Sequence, residues 1–253
     1  MRIQLRLLIG LIIIMMAFTG CELKKEKEVV NQNTTGKSSI TNEHISKKGI
    51  EADYPIITTE NNSKDTTIWN QIIKKDFDKI LDIYSFEPFP GLTPEPTSSN
   101  VILKVSYQIK LNNNNYSSFY YLADFNAPYS AHPTELSYTT NIDKRKNQRT
   151  ILGDVVNLNE DFVKDFRNWD FISIEQGNAE LDSAIKDYFK NITDEDLLRG
   201  LQNADIIGSG NVLDAYSYMT PEKLGISFGV PNYIGDHVEF ERGYDKLGKY
   251  LKI

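Results

Sequence analysis

A single cysteine, Cys21, leaves the chain nothing to close a disulfide with, so a packed core has to supply the stability. Three histidines, His44, His132 and His237, leave few imidazoles for a metal centre. No GxSxG elbow and no GxxxxGK[ST] loop occurs, which removes the usual settings for a serine nucleophile and for a phosphate cradle. The HExxH spacing that puts two histidines on one helical face is also missing. Positive charge is short: 28 Lys and Arg stand against 35 Asp and Glu, a net −7. That balance argues against nucleic acid or anionic lipid as a ligand.

The first residues give an address. Arg2 and Arg6 precede an apolar run from Leu7 to Phe18, too short for an ordinary spanning helix but suited to a signal peptide. It ends in Phe18-Thr19-Gly20-Cys21, which resembles a bacterial lipobox, with small residues ahead of a cysteine that can be alkylated by diacylglycerol. Residues 1–20 are therefore read as a lipoprotein signal peptide and Cys21 as the lipidation site. Acyl chains such as palmitate, at about 0.8 kcal/mol per buried methylene, would hold the protein on the membrane. The expected location is the extracytoplasmic face of the cell membrane. Residues 21–50, with six Lys against four Glu and little apolar content, read as a disordered tether. His44 falls in that tether and is given no chemistry.

Residues 51–253 are long enough for one core, or for two intimate halves, 51–152 and 153–253. Their acids gather between Asp154 and Asp205, where thirteen stand against five bases. The run KRKNQR, Lys144 to Arg149, is a small basic exception. Ile68, Trp69, Ile72, Ile73, Phe77, Ile80, Leu81 and Tyr84 recur at helical spacing and predict a helix over 65–84, capped by Asn62 or Ser63. PFPGLTPEP, Pro88 to Pro96, breaks the chain into a loop. Alternation predicts strands over 101–109, 116–125 and 136–142. Helical spacing follows over 160–166, 179–189 and 194–201, then strands over 215–219, 224–230 and 237–242, and a short helix within 243–251. Strands segregated from helices and joined by hairpins indicate an α+β fold with an antiparallel sheet.

Chemistry has few candidates. AHPTE offers His132 and Glu135, and GDHVEF offers Asp236, His237 and Glu239. Two histidines and a carboxylate could make an open zinc site if these segments met. Alternation puts His237 and Glu239 on one strand face, whereas His132, before Pro133, belongs to a loop or strand end. A hydrogen-bonded structural histidine is the preferred reading of His132. No catalytic residue, metal or cofactor is expected.

The order SAHPTELSYTTNID, TILGDVV and YMTPEKLGISFGVPNYIGDHVEFERGYDKL resembles a secreted bacterial domain family. That family is shared by the lysozyme-sensing anti-sigma factor RsiV and the non-catalytic region of the peptidoglycan deacetylase PdaC. The shared features fall on Ala131-His132-Pro133, Asn141-Ile142-Asp143, Leu152-Gly153-Asp154 and Leu224 to Phe228. The deacetylase's TFDDGP-like acid pair and HxxxH are missing, so its activity does not carry over. Nor would a chain cut before Cys21 leave a segment inside the cell to hold a sigma factor. The resemblance implies a binding domain for a cell-envelope component or a basic protein such as lysozyme. Near the acids, Trp169, Phe171 and Tyr188 would be anchors if exposed, but core is their preferred reading. The alternatives are a cell-wall hydrolase or deacetylase-like enzyme using the His/carboxylate set, and an accessory subunit of an envelope complex.

Overall fold

Ile73, Phe77, Ile80 and Leu81, three or four residues apart, turn one side of helix α1 (Lys64–Ile83) into a buried face. This computed structural model describes residues 38–47, 49–59, 64–84, 102–126, 132–174, 177–210 and 213–253, all within one unit, Asn33–Ile253. Cys21 and the apolar run before it, the tether up to residue 37, the expected caps Asn62 and Ser63 and the loop Pro88–Pro96 lie outside the described residues.

Six strands make the first sheet in chain order: β1 (Ser38–Lys47), β2 (Ile50–Thr59), β3 (Leu103–Asn112), β4 (Tyr116–Phe125), β5 (Thr134–Asp143) and β6 (Gln148–Thr150). Neighbours are antiparallel except β2 and β3, which pair in parallel over Ile50–Ala52 and Leu103–Val105. The crossover through α1 returns the chain to the end where β2 began, which is what a parallel pair requires. The β3–β4 turn is fixed by Asn113, whose Oδ1 accepts from the backbone of Asn115 and Tyr116. Strands β7 (Asp170–Phe171), β8 (Ala215–Met219), β9 (Lys223–Gly229) and β10 (His237–Gly243) form a second, antiparallel sheet in the order β7-β10-β9-β8.

Alternation decides the layers. Phe119, Tyr121 and Ala123 of β4 belong to the core under α1, with the Tyr121 ring 6.3 Å from Phe77. Ser118 and Tyr120 point the other way, and Tyr120 meets Tyr218 of β8 at 5.4 Å. Gly225 makes room for that pair, since a Cβ there would lie 2.1 Å from the Tyr218 ring. The outer face of the second sheet, Leu224, Ile226 and Phe228, is covered by α3 (Glu160–Phe166), α4 (Ala179–Asn191) and α5 (Asp194–Gln202). Phe166 and Phe189 stand 5.5 and 5.4 Å from Phe228. The fold is α+β in four layers, with the first sheet built from residues before 151 and the second from residues after it.

Two stretches differ from the sequence reading. Ser38–Lys47, read as tether, is strand β1, paired residue for residue with β2. Its polar, mostly exposed side chains hide the strand from any pattern of apolar residues. Leu152–Val155, where the family resemblance implies a turn, is a short helix, α2, whose Asp154 carboxylate accepts from the Ile151 backbone. Asn159, Asn178 and Thr193 cap α3, α4 and α5. Eight of the thirteen acids between Asp154 and Asp205 sit in the first turns of α2 to α5, where helix dipoles favour them. Much of the regional acidity is therefore helix-end chemistry. Among the described residues no helix is long and apolar enough to cross a membrane.

Candidate functional site

The two histidine-bearing segments do meet. After Pro231 a 3₁₀ turn, Asn232–Ile234, leads into Gly235 and Asp236, both at left-handed φ (106° and 65°). Asp236 is buried, and its carboxylate accepts from Asn232 Nδ2 at 3.1 and 3.2 Å and from the Glu135 backbone N–H at 3.1 Å. His237 Nδ1 lies 3.2 Å from the Glu135 carbonyl. That oxygen can only accept, so Nδ1 carries the proton.

The contact runs through backbone, and that decides its chemistry. Glu239 turns away to Lys110 at 3.4 Å, Asp236 is occupied by its two donors, and the Glu135 side chain is exposed. Among the described residues no three His, Cys, Asp or Glu side chains group as metal ligands. The set His132, Glu135, Asp236, His237 and Glu239 is thus brought to one end of the molecule without converging on a point. His132 is exposed and meets only the carbonyl of Pro133, at 3.1 Å. The structural role expected of His132 belongs to His237, which ties β10 to β5.

The same end carries three exposed apolar residues. Tyr233 is 74% exposed, Ile174 46% and Ile172 44%. Ile174 closes over the turn, so that a Cβ on Gly235 would lie 2.4 Å from its Cδ1. Ile172 extends β7, donating its N–H to the Glu239 carbonyl at 2.8 Å. The aromatics near the acids lie where the sequence preferred them, in or against the core. Trp169 is 5% exposed, packed on Phe162 and Phe166 with its Nε1 on Asp165, while Phe171 and Tyr188 are half-buried against the core. Tyr233 had a sequence signal, an aromatic set between Pro231-Asn232 and Gly235, where a turn displays a side chain.

The basic run is used inside the fold. Arg145 pairs with Asp143 at 2.8 Å and Arg149 with Asp76 at 2.6 Å. Lys144 is buried and donates to Ser38 Oγ, Asn112 Oδ1 and the Asn113 carbonyl. With no carboxylate among those acceptors, burial pulls its pKa down to about 8. Asp205, 1% exposed, joins the two sheets: it accepts from Thr139 of β5, from the Ser217 backbone and hydroxyl of β8, and from the Leu152 backbone. Burial pushes its carboxyl above the ordinary value, opposed by the charge of Arg149 and by these donors.

His44 acquires partners once β1 forms. Its Nδ1 is 2.8 Å from Asp53 and its Nε2 3.0 Å from Glu51, both on β2. The hydrogen bond to Asp53 is the main cause of a pKa above the ordinary 6.5. The ion pairs therefore favour the folded hairpin fully below pH 6.5 and fade as pH rises through the raised value. NMR titration should place His44 above the ordinary 6.5, and Asp53→Asn should bring it down. A His44 pKa unchanged in that variant would remove the assigned cause.

No family model and no curated protein matches the sequence. Among solved structures, the fold is similar to a DUF3298 family protein from Pseudomonas aeruginosa PAO1, with TM-score 0.47 and 12% identity over 85% of this chain and 94% of that one. It is also similar to a DUF3298 family member from Bacteroides fragilis, with TM-score 0.44 and 13% identity over 85% and 92%. At such identity neither activity nor partner follows, and the likeness to RsiV and PdaC rests on motifs alone. The chain's structural neighbours are thus proteins of DUF3298, a bacterial domain family.

Proposed function

We propose that this chain is a lipoprotein held on the extracytoplasmic face of the membrane through Cys21, and that its α+β domain binds a partner without transforming it. The partner is a cell-envelope component or a basic protein such as lysozyme, as the motif resemblance implies. One observation carries the binding reading. Five charged side chains are buried among the described residues, Asp76, Asp143, Lys144, Asp205 and Asp236, and each is tied to neighbouring backbone or side chains. A catalytic acid or base needs a free face toward a substrate, and these five spend theirs on the fold. The groove beside β7 and β10, about 350 Å³, is lined in part by the Lys223–Glu241 ion pair at 2.8 Å.

Two measurements test this. Metabolic labelling with a fatty-acid analogue should mark the wild-type protein and lose its signal in Cys21→Ala, and persistent labelling would overturn the anchor. The full-length protein in detergent should be retained by insoluble wall fragments or by immobilised lysozyme beyond an equally acidic unrelated protein. Retention by neither would overturn the binding reading.

A further inference from the structure

We propose that the end of the domain formed by Tyr233, Ile174, Ile172, Asp124 and Glu135 is the docking surface, and that it takes a basic protein presenting a Lys or Arg beside an apolar side chain. The proposal rests on the binding reading above and names its surface.

Three observations meet there. Tyr233 is the most exposed of the large apolar side chains at 74%, yet its turn is rigid. Pro231 leads in, two left-handed residues lead out, and the Asp236 carboxylate bonds the turn to β5. An aromatic displayed on a fixed turn gives up little entropy when covered. Through Asp236 the turn is bonded to the backbone of Glu135, and Glu135 of β5 and Asp124 of β4 stand directly opposite each other, both exposed. Like charges in register cost stability, and among the described residues no ion pair relieves them, Lys104 standing across from Asp124 without bridging to it. A cationic side chain laid between the two carboxylates would remove that repulsion while its neighbour covered Tyr233 and Ile174. Third, this end is remote from Ser38, where the described residues begin. Ser38 is held by Lys144 just past the last residue of β5, whereas Glu135 lies near its start, about 27 Å away at the usual rise per residue.

The test compares variants of the full-length protein in detergent, with immobilised lysozyme as the basic probe. Tyr233→Ala combined with Ile174→Ser removes the apolar contact at exposed positions, and equal thermal melts will confirm folding. Asp124→Asn with Glu135→Gln removes the opposed charges. Asp194→Asn with Glu195→Gln makes the same charge change on α5. The apolar pair should weaken binding roughly thirty-fold or more, the loss of a truncated hot spot. The β-strand charge pair should weaken it about five-fold at low salt and less at high salt, and the α5 pair less than about two-fold. Wild-type binding left intact by both corner variants overturns this surface while the binding reading stands. An equal loss in the α5 variant overturns it too, because the attraction would then be diffuse. A wild-type dimer broken by Tyr233→Ala would give the surface to a second copy instead. No wild-type binding to lysozyme rejects the basic partner, and wall-fragment retention then decides whether the binding reading survives.

Discussion

Replacing Asp205 with alanine is expected to lower the unfolding free energy by about 3–5 kcal/mol, read as a fall in urea midpoint with an unchanged slope. Strand β8 explains the size. It pairs with β9 on one side only, and its other edge is buried against the first sheet. There the Ser217 N–H goes to Asp205 at 2.6 Å, the Met219 N–H to Ser118 Oγ at 3.0 Å, and the Ser217 carbonyl takes Asn141 Nδ2 at 2.7 Å. Side chains thus do the work of a missing strand. Alanine would strand the backbone donors of Ser217 and Leu152 in the interior, at about 1–3 kcal/mol each. It would also sit at a φ of 68°, which asparagine accepts more readily than alanine. Asp205→Asn is therefore expected to cost less, because one acceptor oxygen survives while the amide faces a donor. If Asp205→Ala loses less than about 1 kcal/mol, the β8 edge is held by something other than these bonds.

What the sequence showed and hid follows from where the information lay. Helix α1, strand β4 and the helices α3 to α5 were legible because apolar spacing and cap residues act locally. Strand β1 was not, since Ser38–Lys47 buries little, and its register is set by β2, itself interrupted by Pro55. The two-sheet arrangement was legible only as an α+β class. The side chains that join the sheets, Asp205, Asn141 and Ser118, are polar residues that look like surface until their partners are known. The site was half legible. The His132 and His237 segments do come together, but whether through side chains or backbone depends on the Gly235-Asp236 turn. Most of the acids of Asp154 to Asp205 prove to be helix first-turn residues. Tyr233, Ile174 and Ile172 are exposed apolar residues that no periodicity pointed to.

The domain is expected to unfold cooperatively as pH rises from about 10 to about 11, because its interior is rich in phenols. Tyr84, Tyr120, Tyr121, Tyr138, Tyr216 and Tyr218 are all buried. Burial raises each pKa above the ordinary 10.0, that of Tyr84 to about 12 and the others further. The folded state keeps these protons while the unfolded chain gives them up, so stability is complete below pH 10 and falls above it. At pH 11 each tyrosine costs about 1.4 kcal/mol, and six together about 8 kcal/mol, comparable with the whole stability of a typical domain, about 5–15 kcal/mol. Lys144 works in the opposite sense. Its lowered pKa, about 8 against an ordinary 10.5, makes folding more favourable as pH rises through that window, by about 3 kcal/mol at most. Above about pH 9 the loss from six tyrosines grows faster than that gain. Stability should therefore climb from about pH 8, pass a maximum at about pH 9 and collapse by about pH 11, with tyrosinate absorbance appearing in step with loss of circular dichroism. Tyr121 offers a sharp control, since its hydroxyl is buried without a hydrogen-bond partner. Tyr121→Phe should leave stability at neutral pH unchanged or higher and move the alkaline midpoint upward. Tyrosinate absorbance that develops fully while the dichroism stays native would show the phenols to be reachable by solvent, against their burial.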